Sequence, residues 1–237
     1  MGKPFEIRKE VPLGAAPEPV WQAITTPAGL AGWFMPMEID PDSSMVTSWE
    51  PGRRLALRTP AAPDGSFQAF DYRLEDAGPG ATVLRFAHTG FTSDDWGDDY
   101  DVVTGLGWDM YFHTLGQYLT HFPGRPALYL EAEAPPASAK AEAWPRLLAA
   151  LGLGPTSPVE VGTAVRFDLP GVGPVEGVVD YVTPAFIGLR APLALIRFHG
   201  RARIGLPVAV SQHTYVTTFD VDRARQGWES WLAGVFA

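Results

Sequence analysis

The chain opens on alternation. Phe5-Glu6-Ile7-Arg8-Lys9-Glu10-Val11 sets apolar against charged residues with the period of a half-buried strand. Ala16-Pro17-Glu18-Pro19 then starts a helix, because proline is tolerated in a first turn and a carboxylate suits the positive helix end. Val20, Trp21 and Ile24 fall on one face of it, and Thr26-Pro27-Ala28-Gly29-Leu30 stops it and opens a second short turn reaching Trp33-Phe34. Strand patterns follow at Met45–Glu50, Arg54–Thr59, Phe67–Glu75 and Thr82–Thr89. The breaks between them, Glu50-Pro51-Gly52, Pro63-Asp64-Gly65 and Gly78-Pro79-Gly80, are turn chemistry, and the whole reads as an antiparallel meander. The longest helical pattern runs from Gly105 to Phe122. There Trp108, Tyr111, Phe112, Leu115, Tyr118, Leu119 and Phe122 recur at spacings of three and four. Asp109, His113 and Gln117 occupy the opposite side, which is expected to be solvated.

The second half repeats this order. Leu128–Glu133 is strand-like, Ala139–Leu151 reads as a helix with Pro145 in its early part, and Gly152-Leu153-Gly154 ends it. Strands are expected at Ala164–Leu169, Val175–Val182, Phe186–Ala191, Ala194–Gly200 and Val208–Phe219, and Asp220 or Asp222 caps a last, shorter helix with Trp228, Trp231, Leu232 and Phe236. Trp21 has a counterpart in Trp144, Asp71-Tyr72 in Asp180-Tyr181 in matching strand-like stretches, and Gly107-Trp108 in Gly227-Trp228, each Gly-Trp at a helix start. The offsets of 123, 109 and 120 residues drift as insertions in a diverged duplication would make them, and a period of that size is a domain rather than a solenoid repeat. Two tandem domains are therefore expected, residues 1–124 and 125–237, joined at the stiff Pro123-Gly124-Arg125-Pro126.

Composition narrows the chemistry. Cysteine is absent, which removes disulfides, thiolate catalysis and Cys-ligated metal. Hydrophobic residues make up 46% and aromatics 12%, enough for packed domains. Residues 1–124 carry 8 Lys and Arg against 17 Asp and Glu, whereas residues 125–237 carry 10 against 10. A phosphate backbone needs a basic excess, so no nucleic-acid partner is expected. No apolar run is long enough for a signal segment or a membrane span, so the expectation is a cytoplasmic protein with no membrane association.

Taken together, Pro19-Val20-Trp21-Gln22-Ala23-Ile24-Thr25-Thr26-Pro27, Leu30, Trp33, Pro51-Gly52, Thr82-Val83-Leu84-Arg85-Phe86-Ala87-His88-Thr89-Gly90-Phe91 and the Gly107-Trp108 helix resemble a known pattern. It is that of the helix-grip superfamily (START-like, or SRPBCC), in the bacterial branch named for the activator of Hsp90 ATPase. The resemblance spans about residues 5–122. It implies an α+β fold in which a curved antiparallel sheet, with two short helices after its first strand, grips a long C-terminal helix around a hydrophobic cavity, here in two tandem copies. It implies that Trp108, Tyr111, Phe112 and Leu115 face that cavity, with Trp49, Phe70, Tyr72, Phe86 and His88 on the sheet side. The family transfers no catalytic set. The eukaryotic activator's separate chaperone-binding domain has no counterpart here, and the second half lacks equivalents of His88-Thr89-Gly90 and Trp33.

The functional expectation is a small apolar or aromatic ligand in the first cavity, with the second copy structural or serving a homodimer. A cyclase or dehydratase on a hydrophobic substrate is the enzymatic alternative, with His88 as its one nameable group. A chaperone-associated interaction protein, docking through the acidic half, is the third. No cofactor and no metal are expected. The aspartate-rich Ser93–Asp101 misses the calcium-loop spacing, His113 with Asp109 or Gln117 lacks a third convergent ligand, and neither a Gly-x-Ser-x-Gly elbow nor a phosphate loop occurs.

Overall fold

The computed structural model describes residues 3–92, 100–154 and 158–237, and the chain divides into two compact units, Met1–Arg125 and Pro126–Ala237. In the first unit the elements are β1 (Lys3–Leu13), α1 (Pro17–Thr25), α2 (Pro27–Ala31), β2 (Val46–Glu50), β3 (Arg54–Arg58), β4 (Phe67–Asp76), β5 (Thr82–Thr92) and α3 (Tyr100–His121). The sheet order is β1-β5-β4-β3-β2, antiparallel throughout, so the first strand lies beside the last. Thr26 separates the two short helices. Its backbone N–H donates to Gln22 O, ending α1, and its hydroxyl accepts from Gly29 N at 3.0 Å, starting α2. Gly29 is required there, because a Cβ would lie 2.2 Å from the carbonyl oxygen of Gln22. The Trp33 indole then donates to Ala23 O at 2.9 Å and fixes the exit of α2. Val20, Leu55, Leu84 and Leu115 are fully buried and anchor this core.

The second unit contains β6 (Leu128–Glu133), a 3-10 turn (Pro136–Ser138), α4 (Ala143–Ala150), β7 (Ala164–Leu169), β8 (Gly173–Val182), β9 (Phe186–Ala191), β10 (Ala194–His199), a second 3-10 turn (Ala202–Ile204), β11 (Ala209–Thr214) and α5 (Val221–Val235). Its sheet order, β6-β11-β10-β9-β8-β7, again pairs first strand with last and adds one strand. Each unit is thus an α+β helix-grip arrangement. The second core centres on Trp228, Leu147, Phe198, Val210 and Leu232, all fully buried. A bulge in β8 between Val179 and Tyr181 holds Asp180, which makes a bidentate pair with Arg197 at 2.9 and 3.0 Å. Both side chains are buried, at 4% and 1% exposure.

The helix expected over Ala139–Leu151 is α4 alone, Ala143–Ala150, because Pro145 is confined to a first turn. A 3-10 turn and α4 replace the pair of short helices of the first unit. The strand expected over Val208–Phe219 ends at Thr214. Gly107-Trp108 and Gly227-Trp228 lie inside their helices rather than at the starts. His113 and Gln117 are half-buried rather than solvated. Of the two caps considered for α5, Asp220 fills the role, accepting from Arg223 N at 3.0 Å. Most of the aspartate-rich stretch, Ser93–Asp99, lies outside the described residues.

Candidate functional site

Strand alternation builds the inner wall of the first unit. Gln68, Phe70 and Tyr72 share one face of β4, and Phe86 and His88 share one face of β5. The register sets Phe70 opposite His88 and Tyr72 opposite Phe86. Helix α3 brings Trp108, Tyr111 and Phe112 onto this wall. Phe86 lies 4.4 Å from Trp108 and 4.9 Å from Phe112, centroid to centroid, and Phe70 stacks on His88 at 4.4 Å. Phe34, just beyond α2, closes the group from the side, 4.8 Å from Tyr111 and 5.9 Å from Trp108. At these separations neighbouring rings touch, in the edge and offset geometries that their quadrupoles favour. Phe34, Phe70 and Tyr111 remain half-buried and form the margin of the box.

One polar member sits inside it. His88 is 4% exposed, and its Nδ1 accepts from the Trp108 indole N–H at 3.0 Å. Its proton is therefore on Nε2, which donates to Gln68 Oε1 at 2.5 Å. Burial pushes the His88 pKa down to about 4, so the ring is neutral near pH 7. Burial likewise pushes the Tyr72 phenol above its ordinary range. The box thus presents apolar rings and an uncharged, internally saturated imidazole.

Of the sequence-predicted residues, Phe70, Tyr72, Phe86, His88, Trp108, Tyr111 and Phe112 come together in this network. Leu115 is fully buried. Trp49 stands apart, edge-on to Trp21 of α1 at 5.2 Å. The sequence pattern did not single out Phe34, which follows the second short helix outside any periodic segment, or Gln68, a polar residue at an inward strand position. The second signal was available, since β4 alternation places Gln68 on the face of Phe70.

The second unit carries a worn version. Trp228 of α5 donates its indole N–H to Gln212 Oε1 of β11 at 2.8 Å, and Gln212 donates on to Thr214 at 2.7 Å. Trp228 is surrounded by Phe167, Phe198 and Trp231 at 5.6 to 5.8 Å. Elsewhere in this unit, burial first and nearby cations second push His199 down to about 3, and its Nε2 lies 3.1 Å from Ser211 Oγ. Among the described residues, no three His, Cys, Asp or Glu side chains gather to hold a metal, and no helix is long and apolar enough to cross a membrane.

Comparison with known proteins follows the same division. Residues 14–120 match the family model described as Activator of Hsp90 ATPase homolog 1-like protein. No match to a curated protein was found. Among solved structures, a protein from Mesorhizobium loti is 21% identical over 50% of this chain and 98% of its own, with a TM-score of 0.42. The Aha1 dimer from Colwellia psychrerythraea is 19% identical over 48% and 96%, with a TM-score of 0.39. The di-domain ARO/CYC protein BexL of the BE-7585A biosynthetic pathway is 14% identical but spans 94% of this chain and 92% of its own, at a TM-score of 0.41.

Proposed function

We propose, from the match of residues 14–120 to the model described as Activator of Hsp90 ATPase homolog 1-like protein, that the first unit binds a small uncharged aromatic or apolar molecule. The seat is the box between β4, β5 and α3. The observation that carries this reading is the ring network around a neutral His88 whose two nitrogens are already bonded. A charged ligand would find no counter-charge on the described rings, whereas an apolar one gains roughly 25 cal/mol per Å² of buried apolar area. Entry is at the half-buried margin. Phe34 precedes a segment in which Met35, Met37 and Met45 are exposed, and unbranched thioether side chains repack around irregular ligands. Phe34 and Tyr111 line the mouth of the seat and contact the ligand, over a floor of the buried Phe86, Trp108 and Phe112.

An acid–base role for His88 is the weaker reading, because either nitrogen must first break a bond to Trp108 or Gln68. The test is titration with the neutral fluorophore N-phenyl-1-naphthylamine, alongside native mass spectrometry of the purified protein. Saturable one-to-one binding with quenching of tryptophan emission is expected, weakened at least about tenfold by Phe34→Ala or Tyr111→Ala. Binding that neither substitution weakens would place the ligand elsewhere.

A further inference from the structure

The opposite face of the same sheet is charged in an unusual pattern. Arg54, Arg73 and Arg85 occupy directly paired positions on β3, β4 and β5, three arginines in one row across adjacent strands. Like charges placed opposite one another destabilise a sheet. Here carboxylates hold them: Arg85 lies against Glu10 and Glu75, whereas Arg54 and Arg73 share the single carboxylate of Asp71. Both guanidiniums reach Asp71 through Nε and Nη2 at 3.0 to 3.2 Å, which leaves the Nη1 groups of both to a further acceptor.

Toward the other end of the strands, Arg58 lies 3.9 Å over the Phe67 ring, held by a cation–π contact. Between these cations Ala56, Ala69 and Ala87 leave a trough of about 450 Å³. That is within the range of roughly 300–1,000 Å³ used by small-molecule sites. Its lining holds four arginines (Arg8, Arg54, Arg58, Arg73) and two carboxylates (Glu6, Asp71), an excess of two positive charges. The excess stands out on a chain whose formal net charge is −9.

We propose that this outer face is a second binding site, for a small organic phosphate monoester. The dianion, carrying about −1.5 to −2 at pH 7, matches the excess of two charges, and its oxygens suit planar arginine forks. The organic body lies on the alanine floor, which bare phosphate would leave uncovered.

Isothermal titration calorimetry with phenyl phosphate, at constant ionic strength in a phosphate-free buffer, tests it. Saturable one-site binding at about 1 mM or tighter is expected. Arg58→Gln and Arg73→Gln should each weaken it at least about tenfold, and Arg58→Lys, which keeps the charge and loses the fork, by less. Near-UV circular dichroism of each variant reports that the fold is kept. Absence of saturable binding, or affinity unchanged in both glutamine variants, overturns the site. Inorganic phosphate binding as tightly as phenyl phosphate overturns the role of the alanine floor, and phenyl sulfate binding as tightly overturns the charge match.

Discussion

Trp108 of α3 donates its indole N–H to Nδ1 of His88 on β5, and this one bond ties the gripped helix to the sheet and fixes the imidazole's tautomer. The second unit repeats the device between Trp228 and Gln212. In both, a large ring fills space while its single donor is satisfied on the last strand of the sheet. The replacement of His88 by an amide in the second copy keeps the bond and removes the titratable group.

Trp108→Phe keeps an aromatic group but removes the indole N–H, leaving the buried His88 acceptor unsatisfied. Such losses cost about 1–3 kcal/mol, and a smaller ring adds a cavity. Urea unfolding should show a lower midpoint with an unchanged slope. A variant as stable as the parent would show that the bond contributes nothing net.

The pH dependence has a definite sign. His88 titrates at about 4 in the folded protein against about 6.5 in an unfolded chain. The unfolded state therefore binds the extra proton first, and stability falls as pH drops from about 6.5 toward 4, by up to roughly 1.4 kcal/mol per pH unit for one such group. His199, pushed down to about 3, acts in the same direction and extends the window lower. His88→Gln should lower the slope of the 6.5-to-4 limb and leave the part that His199 contributes. Denaturant unfolding as a function of pH reads this directly, and NMR titration of the His88 ring should find it neutral at pH 6.

The elements were legible where periodicity was strong. The strands Leu128–Glu133, Ala164–Leu169 and Phe186–Ala191 have the bounds their alternation gives, and the ring stripe of α3 announced the wall it packs on. Alternation tells which face a side chain takes, not which part of the sheet lies under the helix. Trp49 shows the difference, because β2 is the far edge of the sheet and its ring meets α1 instead. Phe34 was hidden for another reason: it follows α2 without belonging to any periodic segment. The arginine row was invisible because it depends on register across three strands, which only the turns between them set.

Asp180 and Arg197 form a buried ion pair in the second unit. Removing one partner of such a pair costs about 3–5 kcal/mol, whereas replacing both by apolar residues is often neutral or better. Arg197→Met should therefore be severely destabilising and Asp180→Leu with Arg197→Met much less so, measured as a double-mutant cycle in thermal unfolding. Gly188→Ala should behave like a single loss, because its Cβ would lie 2.5 Å from Asp180 Oδ1 and 2.6 Å from Arg197 Nη1. Equal stability of the single and double variants would remove the coupling.

The two Gly-Trp pairs invite a direct comparison, since one glycine in each helix precedes the matched indole. A Cβ on Gly107 would meet nothing within 4 Å, whereas one on Gly227 would lie 2.7 Å from the carbonyl oxygen of Pro170 and 3.1 Å from Val172 Cγ2. In α3, then, glycine is a backbone liability without a packing reason, and Gly107→Ala should raise stability by about 0.5–1 kcal/mol. In α5 the helix passes against the turn between β7 and β8, and Gly227→Ala must push backbone away from backbone. It should lower stability by more than the helix propensity it gains. Paired thermal melts of the two variants decide the matter. If both substitutions stabilise, the close approach of α5 to Pro170 is not a constraint. If both destabilise, the glycine of α3 has a packing role that its open surroundings do not show.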